Sequence, residues 1–194
     1  MKIEKLVLAT HNKGKVAEMS DMLSPFGVEV VSAADFGLDA PEETEDNFIG
    51  NALIKARYVC SQTGLPALAD DSGLCVNALN GDPGVYSADW AGPEKDFDRA
   101  MQMVQDKMGG VDDRSAYFIS VFAFVLPDGG EQIFEGRCTG NLVWPARGDG
   151  GFGYDPIFVP DGDSRTFGEM NMTEKKSYSH RAKAFAEFKK IFGS

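Results

Sequence analysis

The sequence predicts an α/β fold with a mixed β-sheet, and three observations carry that prediction. Residues 5–10 (KLVLAT) and 28–32 (VEVVS) have strand patterns, and a helix pattern at 15–27 connects them into a βαβ unit. The apolar run at 115–126 is followed by the turn PDGG and by a second strand at about 131–138. Because helical crossovers and hairpins occur in one chain, we expect a mixed sheet flanked by helices.

The remaining elements follow from the same patterns. Helices are predicted at 48–62 and 94–108, and a strand at 65–71 lies between them. A short strand, IFVP, follows the Gly-rich loop 148–156, and a final helix begins at about Ser179. The predicted inward stripe of the second helix comprises Ile49, Ala52, Leu53, Ala56 and Cys60. The predicted stripe of the final helix comprises Phe185, Phe188 and Phe192.

Composition restricts the classes of protein that the chain can belong to. A length of 194 residues with 43% hydrophobic content fits one domain spanning 1–194. No apolar run reaches membrane-spanning length, and the N-terminus lacks a signal-peptide pattern. Three cysteines without CxxC spacing suit the reducing cytoplasm. The net charge of −11 disfavours nucleic-acid polymers and anionic membranes as partners, although a small anion remains possible if Lys and Arg cluster locally.

The stretch 68-LADDSGLCV-76 places two carboxylates in an apolar strand. Burying ionised carboxylates is costly unless a partner offsets the charge, and oxygen ligands suit Mg²⁺ rather than Zn²⁺. Alternation along a strand points Asp70 and Asp71 in opposite directions, and we expect Asp71 to face the site. Acidic residues of the loop 39–47 are further candidate ligands, namely Glu42, Glu43, Glu45 and Asp46. The alternatives are an Asx turn at the strand and an ordinary solvated loop.

Two segments near the N-terminus offer positive charge. The turn 10-THNKGK-15 lies between a strand and a helix start, where free N–H groups and Lys side chains can hold phosphate. It lacks P-loop spacing, and an ordinary polar turn is the alternative. On the second helix Asn47, Asn51 and Lys55 share one face, from which Lys55 can reach a phosphate. A solvent-exposed face is favoured for this trio when spacing alone is considered.

Two segments of the last third suit a nucleoside. In 152-FGYD-155, an aromatic ring can stack on a base and Asp155 can accept from ring N–H groups, although a hairpin anchored by core aromatics is the alternative. In 174-EKKSYSHRAK-183, His180 and Arg181 lie in the first turn of the final helix. Basic residues are unfavourable there unless an anion or an acceptor draws them. The combination of carboxylates, cations and aromatics describes a site for a nucleoside triphosphate.

The order of these motifs resembles the noncanonical purine NTP pyrophosphatase family, the inosine/xanthosine triphosphate pyrophosphatases. The resemblance rests on five segments that span nearly the whole chain: 8-LATHNKGKVAE-18, 42-EETEDNFIGNALIKA-56, 69-ADDSGLCVNALNGDPGVYSA-88, 151-GFGYDPIFVP-160 and 166-TFGEMNMTEKKSYSHR-181. It implies an elongated, ITPase-like α/β structure in which two lobes enclose a cleft. It also implies Mg²⁺-dependent hydrolysis of ITP, dITP and XTP to the monophosphate and pyrophosphate, usually by a homodimer.

The resemblance further implies the site residues, position by position. Glu43 and Asp71 would bind metal, and Asp71 would also be the base for the attacking water. The triphosphate would contact Thr10, His11, Asn12, Lys13, Gly14, Lys15, Lys55 and Ser72. The nucleoside would contact Phe152, Gly153, Tyr154, Asp155, Lys175, His180 and Arg181.

The chain departs from the family pattern at two places. Gly50 stands in 48-FIGNA-52, where the family commonly has Glu, and Asp89-Trp90 replaces the more usual Arg-Tyr. Glu45 or Asp46 is a possible substitute for the missing carboxylate, and a reduced rate is the other possibility. Two alternative functions therefore stay open: a pyrophosphatase for another modified or pyrimidine nucleotide, and a catalytically weak nucleotide-binding protein.

Overall fold

The computed structural model describes residues 3–11 and 13–193, with the side chains of residues 13–15 and 18 outside that description. The chain divides into two compact units. The first unit comprises Met1–Asp71, Val121–Glu135 and Ala184–Ser194, and the second comprises Ser72–Ser120 and Gly136–Lys183. Among the described helices, none combines the length and apolarity that crossing a membrane requires.

In the part of the chain that the structure describes, six strands form one sheet in the order β2-β1-β3-β4-β5-β6. Their bounds are Lys5–Leu8 for β1, Glu29–Ser32 for β2, Ala67–Val76 for β3, Ser115–Val125 for β4, Glu131–Leu142 for β5 and Phe158–Pro160 for β6. Strand β1 pairs in parallel with β2 and with β3, whereas β5 and β6 pair antiparallel. The predicted mixed sheet is therefore confirmed, and the first βαβ unit has parallel strands, as a crossover through a helix requires.

Within residues 3–11 and 13–193, five α-helices accompany the sheet. They are α1 at Lys13–Leu23, α2 at Phe48–Thr63, α3 at Phe97–Met108, α4 at Met172–Tyr178 and α5 at His180–Phe188. Helix α1 is shorter than predicted, because a 3-10 turn containing Pro25 follows Leu23. Strand β3 is longer than predicted, since extended backbone continues through both aspartates to Val76. Helix α4 was not predicted.

Each unit has its own apolar core. In the first unit Leu6, Leu68 and Phe122 are buried together with Phe124 and Phe188. In the second unit the rings of Phe118, Phe158 and Phe167 pack against one another, with centroid separations of 4.7 to 5.9 Å. Aromatic pairs at this spacing add to area burial as a source of stability. Leu68 of the first core lies in β3, the strand that also carries Asp71.

The predicted apolar stripe of α2 is wrong at its start. Ile49 is 42% exposed, whereas the polar Asn51 is 3% exposed. Ala52, Ala56 and Cys60 are buried as predicted, and Val59 joins them. The reason is local, because Asn51 Oδ1 accepts a hydrogen bond from the backbone N–H of Glu45 at 2.9 Å. A buried amide side chain is tolerated where it satisfies a backbone donor in this way.

Candidate active site

Helix α2 and strand β3 bring three charged side chains of the first unit together. The Nζ of Lys55 donates to Asp71 Oδ1 at 3.1 Å and to Glu43 Oε1 at 3.2 Å. The side chains of Lys55 and Asp71 are only 11% and 12% exposed, whereas that of Glu43 is 43% exposed. The solvent-face interpretation of Lys55 is therefore wrong. Its aliphatic stem is covered, and its ammonium group forms ion pairs with two carboxylates.

Asp71 is an acid in an unfavourable environment. Burial raises its pKa to about 6, and the nearby charge of Lys55 only partly opposes that effect. Its Oδ2 atom is buried and has no hydrogen-bond partner among the described residues. For Lys55, burial acts to lower the pKa, but the charges of Asp71 and Glu43 outweigh it and raise the pKa. Lys55 is therefore charged near neutral pH. The pKa of Asp71, about 6, lies close to neutral pH.

The donor set fits a hard divalent cation. Asp71 Oδ2 is an oxygen acceptor without a donor among the described residues, and the carboxylate of Glu43 shares Lys55 with Asp71. Carboxylate oxygens are the ligands that Mg²⁺ takes in proteins, usually one or two at a time with water or substrate phosphate completing the shell. In the described residues no three acidic, His or Cys side chains form a ready-made metal cluster. A cation here would therefore depend on substrate oxygens as well.

The acidic loop before α2 is fastened to the first turns of that helix. Asn47 is the N-cap, and its Oδ1 accepts from the N–H of Gly50 at 2.8 Å. Asn51 accepts from the N–H of Glu45 one turn further on. Lys55 reaches Glu43 one turn beyond that. Because residues four apart share a helix face, these three polar side chains hold the loop along one line of α2.

The strand-to-helix segment at 10–15 is only partly described. Thr10 is half-buried, and its N–H donates to Leu8 O at 2.8 Å. His11 is exposed, and its Nε2 lies 2.7 Å from Leu38 O. Asn12 lies outside the described residues, as do the side chains of Lys13, Gly14 and Lys15. The helix α1 begins at Lys13, so its first N–H groups follow this turn as predicted for an anion-binding segment.

The Gly-rich loop of the second unit is organised by one buried carboxylate. Asp155 is 3% exposed, and its Oδ2 accepts from the N–H of Phe152 at 2.8 Å and from Lys175 Nζ at 2.5 Å. A Cβ at Gly151 would overlap the same carboxylate. Asp155 therefore positions Lys175 and the loop, and its bonded oxygen is not a free acceptor for a nucleobase.

Lys175 also stacks on aromatic rings. Its Nζ lies 4.9 Å from the ring centroid of Phe152 and 5.2 Å from that of Phe167. Phe152 is 65% exposed, so one face of its ring remains open to a stacking partner. Tyr154 is 2% exposed instead, and its hydroxyl donates to Ser87 O at 2.8 Å. Of the two aromatics, Phe152 is thus the one available for stacking on a base.

The start of α5 accommodates its basic residues through local contacts. The Oγ of Ser179 accepts from the N–H of Ala182 at 3.3 Å, as an N-cap does. The ring of His180 is buried and stacks on Phe118, with centroids 5.2 Å apart and an interplanar angle of 16°. Arg181 is half-buried. At this helix start the His180 side chain is thus packed into the core against an aromatic ring.

The structure gathers the candidate residues into one group in each unit. The first unit joins Glu43, Lys55 and Asp71, and the second joins Phe152, Asp155 and Lys175. Ser72 follows Asp71 in β3 and is half-buried, and Gly153 has a φ of +68°, which suits glycine. The functional roles of these residues remain predictions.

Sequence reasoning missed two contacts of the site. Phe167 underlies Lys175, and no spacing in the sequence connects them. The bond from Asn51 to the acidic loop was also missed, because no local pattern shows how that loop folds back onto α2.

Comparison with known proteins adds independent information. Residues 6–191 match the model of the Ham1 family. A dITP/XTP pyrophosphatase of Caulobacter vibrioides is 54% identical, covering 95% of this chain and 96% of the relative. A dITP/XTP pyrophosphatase of Gluconobacter oxydans is 52% identical, covering 95% and 88%.

Solved structures agree with these relatives. A HAM1 protein from Coxiella burnetii superposes with a TM-score of 0.93 at 38% identity, covering 98% of this chain and 99% of that one. The Ham1 protein of Staphylococcus aureus gives a TM-score of 0.92 at 31% identity, covering 97% and 98%. The predicted resemblance and the predicted fold class are confirmed. With its mixed sheet, its motif order and a family match over nearly its whole length, the chain belongs to the Ham1 family.

Proposed function

We propose that the protein hydrolyses noncanonical purine nucleoside triphosphates, namely ITP, dITP and XTP, to the nucleoside monophosphate and pyrophosphate. One observation carries this proposal: Asp71, whose side chain is only 12% exposed and whose pKa is about 6, lies against Lys55 in a chain of the Ham1 family. The relatives at 52% and 54% identity are named dITP/XTP pyrophosphatases, which supports the same substrate class here. Removing such nucleotides would keep the precursor pool clean.

A divalent cation, which we take to be Mg²⁺, would be held by Asp71 and Glu43. When bound, it would neutralise phosphate charge and lower the pKa of a coordinated water. The chain needs such a cation because its net charge of −11 opposes a triphosphate. Positive charge from the protein itself would also help to neutralise the triphosphate, supplied by Lys55, Lys13 and Lys15.

The chemical step we propose is in-line attack of water on the α-phosphorus. The new bond joins the water oxygen to the α-phosphorus, and the bond from that phosphorus to the α,β-bridging oxygen breaks, releasing pyrophosphate. The proton of the water passes to the Asp71 carboxylate, whose pKa of about 6 suits a general base near neutral pH. Lys55 lies 3.1 Å from Asp71 and stabilises negative charge that develops on the leaving group.

Recognition of the base is assigned to the second unit. The open face of Phe152 would stack on the purine, and Lys175 is fixed beside that ring by Asp155. Donors from Arg181 and the loop N–H groups would face the 6-oxo group. A 6-amino purine would then present a donor to these donors, and such a buried mismatch discriminates strongly.

We further propose that the enzyme works as a homodimer in the cytoplasm.

The test is pyrophosphate release from ITP, dITP, XTP, GTP, ATP, UTP and dTTP, with and without Mg²⁺. The 6-oxo noncanonical purines should turn over fastest, and Asp71→Asn should slow turnover by about 10²–10⁴-fold, the contribution typical of a general base. Asp106→Asn is the matched control, because Asp106 is exposed on α3, outside the candidate site, where it accepts a hydrogen bond from Gln102. Equal rates on ATP and ITP would refute the selectivity. ITP binding without turnover would refute the activity and favour a nucleotide-binding protein.

A further inference from the structure

Helix α4 carries Lys175, and its own apolar contacts do little to place it. All seven of its residues are exposed or half-buried. Helices shorter than about 12 residues are also marginal on their own in water. Yet the side chain of Lys175 is only 14% exposed, and its Nζ donates to the buried carboxylate of Asp155. Polar contacts from outside the helix must therefore hold α4 in place.

One arginine holds the first turn of α4. Arg165 Nη1 donates to Glu174 Oε1 at 2.8 Å. The other carboxylate oxygen of Glu174 accepts from the N–H of Asn171 at 3.0 Å, as part of the capping box that starts the helix. The hydrogen bond from Arg165 is also the main cause that lowers the pKa of Glu174. Glu174, the residue next to Lys175, is thus engaged through both of its oxygens.

The last residue of α4 contacts the aspartate that orients Arg165. Asp163 accepts from Arg165 Nε at 3.2 Å and from Arg165 Nη2 at 3.1 Å, a two-point contact that fixes the guanidinium plane. The hydroxyl of Tyr178, where α4 ends, donates to the same carboxylate at 3.2 Å. Asp163 and Arg165 therefore form a clamp that contacts both ends of α4.

The clamp belongs to a segment that is itself anchored. Thr166 follows Arg165 in the chain and is fully buried, and its Oγ1 donates to Arg147 O at 2.7 Å. Phe167 comes next, and its ring centroid lies 5.2 Å from Lys175 Nζ. Residues 163–167 thus hold the helix that carries the lysine and also supply one of the rings beside its ammonium group.

We infer that Arg165 and Asp163 are positioning residues, which keep Lys175 beside Asp155 and Phe152 for binding of the nucleoside. The inference rests on the proposed function for the role of Lys175 in that binding. Arginine suits the position because one planar guanidinium can meet two carboxylates at once. The side chain of Arg165 is 44% exposed, and exposed ion pairs contribute little to stability, so the clamp serves the placement of Lys175 more than the stability of the fold.

The placement is tested by Arg165→Met in the nucleotide-free protein. Sulfosuccinimidyl acetate acetylates accessible lysines, and fragment-ion mass spectrometry compares Lys175 with Lys176, its exposed neighbour on the same helix. We expect acetylation of Lys175 relative to Lys176 to rise at least about 3-fold, since loss of the clamp lets Lys175 leave its ion pair. Arg57→Met is the matched control, because it breaks a two-point pair of comparable exposure with Glu131 and should leave the ratio unchanged. An unchanged ratio in Arg165→Met would overturn the inference.

The consequence for the substrate is an effect on KM. In Arg165→Met we expect the KM for ITP to rise about 10-fold while kcat stays within about 2-fold of the wild type, the pattern of lost substrate binding. Arg165→Lys keeps the charge but not the planar fork, so its KM should lie between those of the wild type and Arg165→Met. Tyr178→Phe removes a single hydroxyl from the clamp and should raise KM to a smaller extent. A lower kcat with unchanged KM in Arg165→Met would contradict the positioning role.

Coupling to Lys175 gives a further test. In a Lys175→Met background, Arg165→Met should change KM by less than about 2-fold, because the residue through which it acts is gone. A further increase of about 10-fold would show that Arg165 acts independently of Lys175, against the inference.

The two proposals fail separately. If the wild-type protein does not release pyrophosphate from any of the triphosphates, the proposed function is wrong, while the acetylation ratio still decides whether Arg165 positions Lys175. If pyrophosphate is released, and Arg165→Met retains both the acetylation ratio and the KM of the wild type, only the positioning role is wrong.

Discussion

The substitution Asp71→Asn should make the metal-free protein less sensitive to pH, and near pH 8 no less stable than the wild type. Asp71 has a pKa of about 6 in the folded protein against an ordinary value of 3.8, with burial as the main cause. The difference is about two pKa units, and each unit corresponds to about 1.4 kcal/mol. Keeping Asp71 ionised therefore costs the folded state about 3 kcal/mol relative to the unfolded chain.

The sign of the pH dependence follows from which state holds the proton more tightly. The folded protein binds the Asp71 proton more tightly than the unfolded chain does, so folding is favoured at low pH. The stabilisation is fully present below about pH 4, decreases as the pH rises, and is lost above about pH 6. Asparagine has no such proton. Its amide oxygen can still accept from Lys55, so the substitution preserves the shape of the contact.

The measurement is urea unfolding in EDTA at pH 4, 5, 6, 7 and 8 for both proteins. Other titrating groups contribute to both and largely cancel in the difference. We expect the free energy of unfolding of the wild type, relative to Asp71→Asn, to fall by about 2–3 kcal/mol from pH 4 to pH 8. Asp106→Asn, the exposed control, should run parallel to the wild type. A difference between wild type and Asp71→Asn that does not change with pH would refute the raised pKa.

Three further substitutions test other parts of the structure. Lys55→Met removes the cation that opposes the effect of burial on Asp71, so the acid limb of the kcat–pH profile for ITP should move to higher pH; an unmoved limb would contradict this. Tyr154→Phe removes the donor to Ser87 O and should lower the free energy of urea unfolding by about 1–2 kcal/mol; no loss would show that the carbonyl finds another donor. Arg57→Ala breaks an exposed pair with Glu131 and should cost less than about 1 kcal/mol, a loss that vanishes in 1 M NaCl; a larger, salt-independent loss would argue against a surface pair.

The parts of the fold that could be predicted are those that depend on residues close together in the sequence. The β1–α1–β2 unit follows from apolar spacing and from Pro25, which ends the helical pattern. Helix α4 was predictable in principle, because Asn171 and Glu174 form a capping box three residues apart. It was missed because a helix of seven residues shows too little apolar periodicity for a pattern to be recognised.

The site was predictable in residue type but not in contact. Spacing placed Asn51 and Lys55 on one face, yet spacing alone favoured a solvated face. The acidic loop covers that face through bonds that join residues six and twelve positions apart. Such contacts depend on how the loop folds back, which no local pattern records. The same limit applies to Tyr154, whose buried hydroxyl donates to the carbonyl of Ser87, 67 positions away in the sequence.

The energetics of Asp71 connect the fold to the proposed chemistry. Strand β3 carries the carboxylate into a buried position, and burial raises its pKa towards neutrality. Lys55 offsets only part of that cost, because it is shared with Glu43. A second cation would offset the remainder, and it would bind most strongly where the uncompensated charge is greatest. Under the proposed function, the cost of keeping Asp71 ionised in the metal-free protein would favour both cation binding and proton uptake at this carboxylate. For the same reason, a neutral residue at this position should leave the metal-free fold no less stable near pH 8 while slowing the proposed reaction.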